Sequence, residues 1–235
     1  MASGSTVGGG GRKTTAAQRR RVEDKSVVVT DTNGGTIDLS DSPLVYGSHD
    51  GAVSGALRTA LEGQESKRLS AKVEYAQSFD ENGNPTSKEK RGGGGAVKVT
   101  YSQLDSAVLT HNHPRGEGEL GGTFSQADIR NFSHFRMNTH RASAKEGTYS
   151  ISKGSNFDGA GLRRHYADVD RSAYAAYKSR NASLTSSYRS GSITWDQYSA
   201  GASKSFNTYL VDLHNGLLSG QQQYGYTYTL ERRGS

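Results

Sequence analysis

Apolar residues in this chain are sparse and grouped, and their spacing switches several times between the strand period and the helix period. Val27-Val28-Val29-Thr30 is a short β-rich run stopped by the turn cluster Asp31-Thr32-Asn33-Gly34-Gly35, and Thr36 to Leu39 resumes an extended pattern closed by Pro43. From Asp50 the spacing becomes helical. Val53, Leu57 and Leu61 share one face with Ala56 and Ala60 beside them, Asp50 serves as cap and Gly63 as stop. Ala71 to Phe79 alternates, with Val73, Tyr75 and Phe79 on one face and Glu74, Ala76 and Ser78 on the other, which predicts a strand.

Asp80-Glu81-Asn82-Gly83-Asn84-Pro85 is a turn cluster, and Lys88 to Gly95 reads as a charged loop with no reason to pack. Ala96 to Thr100 resumes an extended pattern, and Ala107 to Thr110 is a short buried strand leading into His111. Phe124 to Phe135 has helical spacing, with Ile129, Phe132 and Phe135 on its apolar face. Ala142 to Ala144 and Thr148 to Ile151 flank Lys145-Glu146-Gly147 as a hairpin. Two helices follow, Gly159 to about Arg180 and Thr194 to about Leu218, with tyrosine-rich stripes that read as packing surfaces. Tyr224, Tyr226, Tyr228 and Leu230 alternate with small or polar residues and predict a final strand. The sum is an α+β fold, a mixed sheet flanked by helices.

Composition narrows the picture. Hydrophobic residues make up 32% of the 235, beside 30 glycines, which is lean for one compact core and predicts flexible segments around a folded centre. With no cysteine, disulfides, thiolate metal sites and cysteine nucleophiles are excluded, so any metal must be held by His, Asp or Glu. No apolar run approaches a membrane span and the N-terminus lacks the apolar core of a secretion signal, which points to a soluble, cytoplasmic protein. The net charge of +6 is concentrated partly in a Gly/Ser/Thr-rich leader carrying Arg12, Lys13, Arg19, Arg20 and Arg21. Such a leader can touch nucleic acid through phosphate contacts, but no aromatic residue interleaves these cations. A solvated, disordered end over residues 1–25 is therefore the favoured reading.

The chemistry lies in His111-Asn112-His113-Pro114 and Ser125-Gln126-Ala127-Asp128. Two histidines at i and i+2 on an extended segment project to one side, Asn112 points the other way, and Pro114 ends the strand. Ser125 with Asp128 three residues later is also a capping pattern at a helix start. Together the two segments bring His111, His113 and Asp128 to one edge of a sheet. Two histidines and a carboxylate, with a position left for water, form the ligand set of a hydrolytic zinc (Zn2+) centre. Such a centre needs a proton acceptor, and Glu74 on an upstream strand is the best-placed carboxylate.

Glu74, His111-Asn112-His113-Pro114 and Ser125-x-x-Asp128 resemble the JAMM motif of the MPN/JAB metallo-hydrolases, over roughly residues 45–152. The wording is especially similar to RadC-type proteins and to domains attached to phage and mobile-element head-morphogenesis proteins. The resemblance implies a JAB/MPN-like domain in which His111, His113 and Asp128 ligate zinc and Glu74 is the general base. It also implies that Ser125 donates a hydrogen bond to the water or to the developing oxyanion. Arg115 to Phe124, ten residues between Pro114 and Ser125, is longer than the family's usual spacing and rich in glycine, so it is expected to bulge outward or to shape access to the metal.

These readings divide the chain into a basic leader (1–25), a metal-binding domain (26–155) and a helical extension ending in a strand (156–235). They predict a zinc-dependent peptidase or isopeptidase acting on a polypeptide, in a host cytoplasm or virion if phage-encoded. The alternative is a non-catalytic, metal-stabilised structural or interaction protein of a phage or mobile element.

Overall fold

A computed structural model of the chain describes residues 44–47, 53, 55–115 and 119–232. The two short strands expected before residue 40, the Asp50 cap and the basic leader lie outside the described residues.

Six strands form one sheet in the order β2-β1-β3-β4-β5-β6: β1 (Tyr75–Phe79), β2 (Lys90–Arg91), β3 (Val108–Asn112), β4 (Thr139–Ala144), β5 (Gly147–Lys153) and β6 (Tyr226–Glu231). All neighbours are antiparallel except β3 and β4, which run parallel. A parallel pair needs a crossover, and the helix α3 (Gln126–His134) supplies it. The remaining helices are α1 (Gly55–Arg68), the short α2 (Tyr101–Leu104), and the long α4 (Gly159–Arg189) and α5 (Trp195–Tyr224). The fold is α+β with a mixed sheet, as the hydrophobic spacing predicts.

Several boundaries differ from expectation, each for a physical reason. Helix α1 runs through Gly63, where an added Cβ would meet nothing, and ends on Lys67 and Arg68, which complement the helix dipole. Strand β1 begins at Tyr75, although Glu74 exchanges backbone hydrogen bonds with Gly92 and Gly93 just beyond the ladder. The charged loop after Lys88 is not idle: Lys90 and Arg91 pair with β1, and Glu89 takes an ion pair from Arg68. Residues 96–100 are not a strand, and Thr100 instead caps α2.

The two faces of the sheet have different contents. On one, Leu57 and Leu61 of α1 pack on Phe79 and Val108. Beside this small cluster the face turns polar: Arg141 donates to Glu65 at 2.7 Å and to Glu231 at 3.1 Å, and Glu65 also accepts from Thr110 and Thr148. On the other face lies the main core. Ala76, Leu109, Ala142, Tyr149 and Ile151 of the sheet meet Phe124, Ile129 and Phe132 around α3. Leu162 and Tyr166 of α4 and Val211 and Leu217 of α5 belong to the same core, as do Tyr226, Tyr228 and Leu230 of β6. The core therefore continues across residue 155 into the helical segment. Only the near halves of α4 and α5 are used, since buried residues stop at Ala173 on α4 and begin at Ser205 on α5. Beyond them the helical hairpin is held at its tip by Tyr188, Trp195 and Tyr198, with ring centroids 5.3–5.6 Å apart.

Candidate metal centre

The site forms at the end of β3 and the start of α3. In β1–β3 pairing Ala76 faces His111, so by strand alternation Glu74, Ala76, His111 and His113 all lie toward the main-core face. Across the parallel pair, Leu109 is level with His140 and His111 with Ala142, which brings His140 to the same face. Ser125 caps α3: its Oγ accepts from the N–H of Asp128 at 3.2 Å, and the N–H of Ser125 donates to Asp128 Oδ2 at 2.8 Å. This reciprocal capping box fixes the first turn and turns the Asp128 carboxylate back toward β3.

The expected ligands converge. His111 Nε2 and His113 Nε2 are 2.8 Å apart, and Asp128 Oδ2 lies 3.7 Å from the first and 4.0 Å from the second. A tetrahedral zinc with bonds of about 2.0–2.1 Å separates its ligand atoms by roughly 3.3–3.5 Å. The observed spacings bracket that value, and the three residues could hold a metal ion. His113 Nδ1 donates to the Gly122 carbonyl at 2.9 Å, so its Nε2 lone pair faces the cluster and accepts from His111 Nε2.

Electrostatics agrees with this proton arrangement. Burial pushes His113 down to about 4, His111 adds to the shift, and the ring stays neutral. Burial also opposes a charge on His111, but Asp128 and Glu74 outweigh it and hold its pKa above the ordinary 6.5. Burial works against the Asp128 carboxylate, yet His111 dominates and keeps it well below the usual range. Burial raises Glu74, against smaller pulls from His111 and Arg115.

Glu74 opens onto the same cleft as the three candidate ligands, a hollow of about 350 Å³ whose walls include Val97, Arg115, Ser125, Tyr166, Phe206 and Tyr209. Ser125 Oγ donates to Asp128 Oδ2 at 2.7 Å, so in this arrangement it orients a ligand. The long segment after Pro114 folds inward over its described second half, where Leu120, Gly121, Gly122, Thr123 and Phe124 are all buried; of the two expectations the outward bulge does not hold there, while Arg115, Gly121, Thr123 and Phe124 line the cleft and so shape access to it.

Three further residues support the site. Asn112 points away from the histidines, as strand alternation requires, and its carboxamide spans Glu74: it accepts from the N–H of Tyr75 at 2.7 Å and donates to the Val73 carbonyl at 3.2 Å. The middle position of His-Asn-His was the available signal. His140 stacks 4.9 Å from His111 and 5.1 Å from Phe124, and burial, aided by His111, pushes it to about 3, so it is a neutral floor. A lone histidine in Asn138-Thr139-His140 carries no such signal. Tyr166, from α4, donates its hydroxyl to the Phe124 carbonyl and steadies the approach to Ser125.

Fold and site together define an α+β protein with a candidate two-histidine, one-aspartate metal centre. No family model, curated protein or solved structure matches the chain. Among the described residues, no helix is long and apolar enough to cross a membrane.

Proposed function

We propose that the chain is a zinc-dependent hydrolase of peptide or isopeptide bonds, of the kind its JAMM-like motif suggests. The observation that carries this reading is that Glu74 shares one buried cleft with His111, His113 and Asp128. An unliganded carboxylate beside the ligand set, its charge disfavoured by burial, stands where a general base is needed.

Two imidazole nitrogens and one carboxylate oxygen suit zinc among the abundant divalent ions, whereas magnesium and calcium prefer all-oxygen sites. Zinc held by His111, His113 and Asp128 would supply a Lewis acid for the scissile carbonyl and lower the pKa of water bound there. The chain supplies the rest. Glu74, its pKa raised by burial, accepts a proton from the attacking water and hands it to the leaving amine. Asn112 fixes the backbone on both sides of Glu74, so the carboxylate is presented at a constant distance. Ser125 keeps Asp128 Oδ2 turned toward the histidines. Phe206, Tyr209 and Arg115 also line the cleft, giving the substrate aromatic surface and a cation to meet.

The test is zinc content and peptide-bond cleavage measured side by side for wild type and Glu74→Gln. Wild type should bind one zinc per chain and cleave, and Glu74→Gln should keep the zinc and lose at least about a hundredfold in rate. A wild type that takes up no zinc, or a Glu74→Gln that cleaves as wild type does, overturns the reading.

A further inference from the structure

Glu146 lies in the tight turn between β4 and β5, and its sequence context, Lys145-Glu146-Gly147, reads as no more than a hairpin turn. Its carboxylate is nonetheless half-buried and fully engaged with the glycine-rich segment that follows Pro114. Oε2 accepts the N–H of Gly121 at 3.1 Å, while Oε1 accepts the N–H of Gly122 at 2.9 Å and the hydroxyl of Tyr149 at 2.8 Å. Two consecutive amides on the two oxygens of one carboxylate fix both the place and the orientation of that dipeptide, through charge-assisted bonds.

The segment belongs to no strand or helix, so its buried amides depend on side chains for partners. From the opposite side, the N–H of Leu120 donates to Asn207 Oδ1 of α5 at 3.0 Å. Packing is equally close. A Cβ on Gly121 would stand 2.3 Å from the Ala144 Cβ, and one on Gly122, where φ is +80°, would stand 2.8 Å from Leu210 Cδ2. The carbonyl carried by this pinned dipeptide is the one that accepts from His113 Nδ1, at 2.9 Å.

We infer that Glu146 is a positioning residue for the metal centre. Through the Gly121 and Gly122 amides it holds the Gly122 carbonyl on His113 Nδ1, which fixes the imidazole in its Nδ1–H form and leaves Nε2 for a metal ion. The inference deepens the metal-binding reading above and rests on it for the consequence, although not for the tautomer itself. Partners one step out from a ligand commonly change metal affinity by about 10–100-fold when removed. Here the carboxylate acts one step further away, through the backbone.

Glu146→Gln and Glu146→Asp test this beside wild type and Glu74→Gln. Gln offers one acceptor oxygen for two amides and turns an NH2 toward the other; Asp keeps the charge but withdraws it by one methylene. Three quantities are read: zinc affinity by competition with a chromogenic chelator, the imidazole 15N shifts of His113 in zinc-free protein, and the melting temperature. Each Glu146 variant that folds should bind zinc about tenfold or more weakly and show His113 divided between tautomers. Glu74→Gln, which leaves the Gly121–Gly122 anchor untouched, should keep His113 wholly in the Nδ1–H form. A folded Glu146 variant with zinc affinity within about twofold of wild type and His113 still wholly in the Nδ1–H form overturns the inference, whatever its melting temperature. Failure of both variants to fold would also overturn it, because the carboxylate would then be a general structural anchor. Wild-type protein that takes up no divalent metal would end the hydrolase reading, while the His113 tautomer would still decide what Glu146 does.

Discussion

Asn112 brackets Glu74 from the far side of the sheet, accepting from the N–H of Tyr75 at 2.7 Å and donating to the carbonyl of Val73 at 3.2 Å. The side chain between the two candidate ligand histidines thus holds the backbone of the proposed base. Asn112→Ala leaves the Tyr75 N–H without its acceptor in a buried setting, a loss of about 1–3 kcal/mol in urea unfolding. Zinc binding should persist in this variant while hydrolysis falls by about tenfold or more, since only the carboxylate is released. Unchanged unfolding and unchanged hydrolysis would show that the bracket has no consequence.

Gly122 sits at a φ of +80° with Leu210 where a Cβ would go. Gly122→Ala meets both the left-handed backbone penalty, about 1–2 kcal/mol, and overpacking of a further 1–3 kcal/mol. Denaturant unfolding should register a sum in that range. Zinc titration of the folded fraction should show weaker uptake, because the carbonyl under His113 is displaced.

Arg141 is buried between Glu65 and Glu231, with bonds of 2.7 Å and 3.1 Å. Burial opposes its charge, but Glu65 and then Glu231 outweigh that and hold its pKa above the ordinary guanidinium value. Arg141→Leu removes the cation that Glu65 and Glu231 share, and removing one partner of such a buried pair costs about 3–5 kcal/mol. The accompanying change Glu65→Leu should recover part of the loss. A single substitution that left the unfolding midpoint in place would mean the network is solvated.

His214 is fully buried on α5, with its Nδ1 2.8 Å from the Tyr228 hydroxyl. Burial pushes its pKa from 6.5 down to about 4, against a smaller opposing pull from the Val45 backbone. The folded value lies below the unfolded one, so as pH falls the unfolded chain takes up the proton first and stability drops. The window runs from about pH 6.5 down to about 4, and the loss between pH 7 and pH 5 is about 2 kcal/mol. His214→Leu should flatten the stability profile across that window relative to wild type by about this amount, read from urea melts at the two pH values.

The sheet and most helices are legible because their apolar positions keep one period: Leu57 and Leu61 on α1, Ile129 and Phe132 on α3, the alternating tyrosines of β6. The convergence of His111, His113 and Asp128 is legible for the same reason, since two histidines at strand spacing followed by a capping Ser and Asp leave little geometric freedom. What was not legible are contacts between segments far apart in sequence. Nothing local marks Glu146 as the acceptor for Gly121 and Gly122, or His140 as the floor under His111. The loop after Pro114 is only half legible for a related reason. Its glycines read as freedom, whereas Gly121 and Gly122 are there because Ala144 and Leu210 leave no room for a side chain. Glu65 and Arg141 look like surface charges until the sheet brings them together.

The last strand has a consequence for how the chain is made. Arg141 in the middle of the sheet finds Glu231 only when β6 lies down beside β5. A nascent chain that has left the ribosome as far as α5 already carries both histidines and Asp128, but its central arginine has only Glu65 of its two carboxylate partners, and the edge of β5 that β6 will cover is open. Sheet closure must therefore wait for β6, and until that strand has emerged the newborn protein offers the open edge to whatever chaperone or neighbouring chain meets it first.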